Sequence, residues 1–264
     1  MIPVSYLSAY LYCPRKLYLE KVMKVIVMPK EVMVKGMVQH KALELAGKAE
    51  EIIILKTRKS MSKEDIRSLY EERYRKVLKA AVLQSRERLT EAGLNMAEIE
   101  KTIWPIMFQE LRYRSRLVHS FMVSSRLEGK ELWDKLIPKV KPEFQIESAN
   151  LNLKGCIDRI EDYGNSVVPV EIKIGKAPQG VWPGDRIQVA AYIMLLEDQG
   201  WNVQKGSIIY NDGTRDIIMN PFLRKEVIDV REKVEQLLAS KDMPEKCCNN
   251  PKCQACSVKS GCIG

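Results

Sequence analysis

The placement of four cysteines constrains this chain more than any other feature. Cys13 stands alone near the N-terminus, and Cys253, Cys256 and Cys262 form a C-x2-C-x5-C group at the opposite end. Thiols spaced in this way can close one metal centre that ties the two termini together. Soft thiolate ligands favour iron–sulfur clusters or zinc, and a compact trio plus one remote ligand suits a four-coordinate centre better than a disulfide framework. The segments between them must then supply whatever that clamp holds in place.

The chain has 264 residues, 45% of them hydrophobic, enough to bury a substantial core. Its 43 Lys and Arg against 34 Asp and Glu leave a net charge of +9, which suits a polyanionic partner such as nucleic acid or an acidic membrane surface. The N-terminus lacks a basic region followed by an apolar stretch, and no apolar run approaches the roughly 20 residues of a membrane span. The reading is therefore cytoplasmic, without a membrane partner. In a reducing compartment the seven cysteines read as metal ligands or buried thiols rather than disulfides.

Residues 1–48 read as helical. Ser8 is a candidate cap for a short helix carrying Tyr12, Cys13, Leu17 and Tyr18, and residues 31–45 repeat apolar side chains at Val34, Met37, Val38 and Ala42, placing His40 on a helix. Residues 49–132 read as a charged, amphipathic helical insertion. Ser62 and Asp65 form a capping pair, a helical period runs on until Gly93, and a second helix over 96–122 is expected to break or kink at Pro105. Arg112 and Arg116, one turn apart with Tyr113 between them, could track a phosphate backbone, although a solvated charged face explains them as simply. Past Trp133 the pattern changes to strands over 139–148, 151–161 and 167–174, with a turn signal at 162–165. A helix over 185–197, strands near 206–210 and 216–219, and a helix over 221–240 precede the cysteine-rich tail at 241–264. The order implies a mixed α/β sheet with helical cover.

Within that sheet Asp158 sits in Gly155-Cys156-Ile157-Asp158, and Glu171-Ile172-Lys173 follows on the next strand. Side chains two apart in a strand share a face, so Glu171 and Lys173 point the same way and a paired strand can present Asp158 beside them. Oxygen ligands suit Mg2+ or Mn2+, and a lysine can orient the attacking water or offset charge on phosphoryl oxygens. Taken alone the D…ExK pattern is common by chance and also reads as a solvated face. The next helix adds Gln188 and Tyr192 on one face at i, i+4, a pair that can hold substrate backbone. A lone helical histidine is ordinarily a packing residue, yet beside a carboxylate site His40 becomes a candidate ligand. His119 reads as a surface residue.

These motifs resemble those of the RecB-type nuclease superfamily: a helical histidine (His40), G-x2-D (Gly155, Asp158), E-x-K (Glu171, Lys173) and Q-x3-Y (Gln188, Tyr192). With the cysteines added, the chain looks like the fourth CRISPR-associated protein family, iron–sulfur nucleases that trim DNA before it is integrated as new spacers. The resemblance implies a PD-(D/E)xK restriction-endonuclease-like core over 133–240, a mixed β-sheet flanked by helices. It also implies that His40, Asp158, Glu171 and the backbone carbonyl of Ile172 bind Mn2+ or Mg2+, that Lys173 is the catalytic lysine, and that Gln188 and Tyr192 contact the DNA strand. Cys13, Cys253, Cys256 and Cys262 would hold a 4Fe-4S cluster fixing the tail over the N-terminal helix. Single-stranded or overhang-bearing DNA and the spacer integrase complex are the implied partners, with homo-oligomerisation left open. The helical insertion lies outside the resemblance.

Other residues carry alternatives. Cys247 and Cys248 could replace one cluster ligand, Cys156 reads as a small buried thiol near Asp158, and Glu143 and Glu147 as an exposed strand face that could approach the metal. Two further functions stay open: a general repair or recombination nuclease with the same core, although no phosphate-loop motif is present, and a non-catalytic zinc-clamped module that binds nucleic acid.

Overall fold

A computed structural model of the chain describes residues 1–25, 31–173, 175, 179–247, 249–254 and 256–263. The expected end of the third strand at Ile174 and the alternative ligand Cys248 lie outside the described residues. Along the chain the elements are β1 (Ile2–Pro3), α1 (Val4–Tyr12), α2 (Pro14–Lys21), α3 (Glu31–Ile54), α4 (Lys63–Gln84), α5 (Arg86–Glu91), α6 (Met96–Ser125) and α7 (Gly129–Lys135). They continue with β2 (Lys139–Ser148), β3 (Leu153–Asp162), β4 (Val167–Ile172), α8 (Pro183–Asp198), β5 (Gly206–Tyr210), β6 (Gly213–Ile217), α9 (Pro221–Ala239), α10 (Asn250–Gln254) and α11 (Lys259–Ile263).

Two compact units result, one of residues 1–29, 144–159 and 165–264 and one of residues 30–143 and 160–164. The first is organised by a mixed sheet of order β1-β3-β4-β5-β6, with β2 also paired to β3. β4 and β5 run parallel, so the chain between them must cross over, and α8 makes that crossing; β5 and β6 are antiparallel across a short turn. Every residue of β4 is buried, as are ten consecutive residues of α8 from Ile187 to Leu196. A helix apolar on all sides must be enclosed, and α8 is enclosed by the sheet, α1 and α9. Close packing of α1 on α8 depends on Gly184, where a Cβ would sit 2.6 Å from the Ser8 hydroxyl.

The second unit is a helical assembly. Its core draws Val34, Val38, Ala42 and Ile53 from α3, Ile66, Tyr70 and Leu78 from α4, and Ile99, Ile103, Met107 and Leu111 from α6. Ser62 caps α4 with the full reciprocal box to Asp65 that the sequence implies. A polar cluster is buried in that core: the Arg114 guanidinium grips both Glu50 oxygens at 2.7 Å, and the Tyr70 hydroxyl donates to Glu50 at 2.8 Å. Arg112 and Arg116, by contrast, are exposed on either side of it.

Several local expectations are corrected. Ser8 does not begin a helix; α1 starts at Val4 behind Pro3, and Ser8 lies in its middle, packed against Gly184. The helix of His40 runs nine residues past Leu45 because small alanines at 46 and 49 and Ile53 continue the buried stripe. Pro105 does not end α6, since buried Ile99 and Ile103 before it and Met107 and Leu111 after it hold one continuous face in the core, outweighing the lost hydrogen bond. The last strand forms over residues 213–217 rather than 216–219, because Gly213 takes the positive φ of 137° that tightens the turn from β5. Among the described residues no helix is long and apolar enough to cross a membrane.

Candidate active site

Asp158 lies on β3 and Glu171 and Ile172 on β4, neighbouring strands of the sheet. The Ile172 N–H donates to Asp158 Oδ2 at 2.7 Å, fixing that carboxylate against the next strand. Just past β4, the Lys173 N–H continues the ladder to the Ile209 carbonyl at 2.9 Å, so its side chain keeps strand parity with Glu171. Lys173 Nζ lies 2.8 Å from Glu171 Oε1 and 3.6 Å from Asp185 Oδ1.

Gln188 locks this pair. Its amide nitrogen donates to Glu171 Oε1 at 2.8 Å and its amide oxygen accepts from Lys173 Nζ at 2.9 Å, an orientation dictated by the opposite charges of the two partners. The same nitrogen reaches the Tyr192 hydroxyl at 3.2 Å, and that hydroxyl donates to the Cys156 carbonyl at 2.8 Å. A glycine is needed at 155 because a Cβ there would sit 2.7 Å from the Tyr192 ring. The first glycine of G-x2-D therefore makes room for the last residue of Q-x3-Y.

The electrostatics follow from burial and charge. Burial by itself would push the Lys173 ammonium down, but Glu171, Asp185 and Asp158 outweigh it and hold the group above the usual lysine value. Burial, with Glu171 acting in the same direction, pushes Tyr192 up, so its hydroxyl remains a proton donor. Tyr210 donates to Asp185 at 2.7 Å and is raised by burial and by that carboxylate. Asp185 and Tyr210 form a second rank behind Lys173 that strand and helix periodicity do not expose. Asp185 precedes Gln188 by three residues on the same helix, which is the one signal that could have found it.

Asp158, Glu171, Ile172, Lys173, Gln188 and Tyr192 thus all belong to the sheet unit and are linked by hydrogen bonds. A cavity of about 680 Å3 opens beside them, lined by Gln188, Tyr192, Gly155, Cys156, Lys154 and Glu147 among others. His40 is half-buried on α3 in the helical unit; Glu143, half-buried on β2, belongs to that unit too and takes a positive φ of 51°. Tightly held carboxylates offer hard oxygen donors, the donor type a hexacoordinate divalent cation takes, so Asp158 and Glu171 fit such an ion.

The cysteines gather elsewhere in the same unit. Cys13 falls between α1 and α2, where the residue before Pro14 is confined to extended backbone (φ −167°, ψ 110°) and turns its thiol inward. Cys13, Cys253, Cys256 and Cys262 line one cavity of about 250 Å3, and Cys247 lines it with them. Arg15 binds the tail there, donating to Cys262 Sγ at 3.2 Å and to the Pro244 carbonyl at 2.8 Å, and Tyr18 donates to the Lys241 carbonyl at 3.0 Å. An all-sulfur donor set fits iron or zinc and does not suit a hard cation.

A motif-bearing strand pair, a lysine locked to a glutamate and a helix that braces both define a nuclease of the D…ExK kind, and comparison with known proteins agrees. Residues 2–263 match the family model described as the PD-(D/E)XK nuclease superfamily, and the chain belongs to that superfamily, whose members are metal-dependent nucleases. Within it, the chain is 29% identical over 149 residues to a protein of Leptospira interrogans described as a CRISPR-associated exonuclease Cas4/endonuclease Cas1 fusion, covering 51% of this chain and 27% of that one. It is 30% identical over 129 residues to a fusion of the same description from Myxococcus xanthus (46% and 23% covered), and 25% identical over 126 residues to the CRISPR-associated exonuclease Cas4 of Rhodospirillum rubrum (46% and 38%). The chain spans only about a quarter to two-fifths of the length of these relatives.

Proposed function

We propose that this chain is a CRISPR-associated, metal-dependent DNA exonuclease that trims single strands or overhangs of prespacer DNA during adaptation. The observation that carries this reading is the closed network of Glu171, Lys173, Gln188 and Tyr192 beside Asp158. The net charge of +9 suits a DNA partner, and the Cas4 and Cas1 names of the similar proteins support the integrase as a second one. Cytoplasmic location goes with that role.

Mn2+ or Mg2+, when bound, polarises a phosphoryl oxygen and acidifies an attacking water. In this reading Asp158, Glu171 and the Ile172 carbonyl would hold the ion. Glu171 is kept in position by the Gln188 amide and the Lys173 ammonium. Lys173 stays charged, so it offsets negative charge developing on the phosphoryl oxygens rather than taking a proton. Gln188 and Tyr192, which line the large cavity, meet the strand from the side of α8. Cys13, Cys253, Cys256 and Cys262, which line one cavity, would hold a 4Fe-4S cluster that ties the tail to α2.

Incubating single-stranded and overhanging duplex DNA, labelled at either end, with Mn2+ in the presence and absence of the integrase tests this function. Shortening from the labelled ends, confined to single-stranded portions, is expected. Intact strands under every condition would sink it.

A further inference from the structure

The sulfur cavity holds one thiol more than a four-coordinate centre uses. Cys13, Cys247, Cys253, Cys256 and Cys262 all line it, and none is in a disulfide. Four of the five belong to the C…C-x2-C-x5-C pattern; Cys247 does not. Yet Cys247 Sγ is only 3.5 Å from Cys253 Sγ, and it lines the same cavity as Cys13. Cys247 and Cys253 therefore share one corner of the site.

That corner reaches solvent through Cys247. Cys13 is buried, and Cys262 is pinned by the Arg15 guanidinium through both its thiol and its carbonyl. Cys247 is exposed, while Cys253 sits on the short α10, held by a backbone bond to the Asn249 carbonyl at 2.9 Å. Solvent species that displace a ligand meet this side first, and a second thiol already waits there. We propose that Cys247 is a reserve ligand of the thiolate centre, able to replace Cys253 at its solvent-facing corner. The exchange breaks one metal–sulfur bond and forms another; the incoming thiol gives up its proton, the outgoing thiolate takes one, and no oxidant or reductant is consumed. The inference rests on the cluster reading above.

The test uses full-length chain purified without oxygen as wild type, Cys247→Ser, Cys253→Ser, the double variant and Cys256→Ser. Iron, acid-labile sulfide and zinc are measured per chain, and circular dichroism checks that each variant is folded. Wild type and Cys247→Ser should be fully loaded, Cys253→Ser should keep at least about half its metal, and the double variant should fall about tenfold, to the level of Cys256→Ser. Alkylation mapped by mass spectrometry supplies an independent readout: Cys247 should react in loaded wild type and be protected in Cys253→Ser. Cys253→Ser as empty as Cys256→Ser, or a double variant as full as Cys253→Ser, overturns the reserve role. A wild type with neither iron nor zinc overturns the thiolate centre itself.

Discussion

In the proposed function Lys173 is the residue on which the chemistry turns, and its surroundings decide which task it can perform. An ammonium 2.8 Å from Glu171 and 3.6 Å from Asp185 keeps its proton, because losing it would leave two carboxylates uncompensated in a confined space. Its folded-state value lies above the ordinary 10.5, so the stability these ion pairs contribute is complete below that pH and disappears as pH rises through the raised value. The pH–rate profile between about pH 6 and pH 9 should therefore contain no limb from this lysine, and unfolding experiments above pH 10.5 should show wild type losing stability more steeply than Lys173→Met. A rate limb in that neutral window that vanishes in Lys173→Arg would contradict this assignment. Gly155 makes a second prediction at the same scale. Gly155→Ala should cost about 1–3 kcal/mol in urea unfolding and slow cleavage, because the Tyr192 ring that must move is tied to Gln188 and the Cys156 carbonyl.

At the scale of elements, what the sequence discloses is whatever is periodic or local. Strand 139–148, the parity of Glu171 and Lys173, the Ser62–Asp65 cap and the Gln188–Tyr192 face all follow from spacing alone, and all are present. Contacts made by residues distant in sequence are not legible in this way. Tyr210 on β5 reaches Asp185 on α8, and Gly155 on β3 faces Tyr192, only because the crossover lays that helix on the sheet. Pro105 does not break α6 for a related reason: local propensity favours a break there, and burial on both sides keeps the helix continuous. Arg114 is the clearest example in the helical unit. In sequence it is one more basic residue between Arg112 and Arg116, whereas in the fold it is buried and holds Glu50 with two hydrogen bonds. Arg114→Met should lower the unfolding free energy by about 3–5 kcal/mol by stranding the Glu50 carboxylate, and adding Glu50→Met should recover much of that loss. Equal stability of the single variant and wild type in urea titration would show the pair to be inert.

For the whole molecule, one chain carries two kinds of donor side chain, carboxylates and thiols, in separate places. Carboxylate oxygens sit at the sheet, where the proposed phosphodiester chemistry would need a cation that polarises oxygen, and thiols line a cavity where the tail meets α2, where a structural tie would serve. Removing the second should loosen the tail and leave the bonds between Glu171, Lys173 and Gln188 in place, since those bonds join the end of β4 to α8. Chelator-treated protein should accordingly become more sensitive to proteolysis within residues 241–264 before the sheet unit unfolds; cleavage appearing first in the sheet would contradict that order. The central claim is that Asp158, Glu171 and Lys173 form a hydrolytic centre, and the most direct measurement is the rate at which wild type and Lys173→Ala cut end-labelled single-stranded DNA with saturating Mn2+, alongside their DNA affinity. The expected result is a loss of about 10²–10³-fold or more in rate with binding retained. Lys173→Ala cutting as fast as wild type would contradict it.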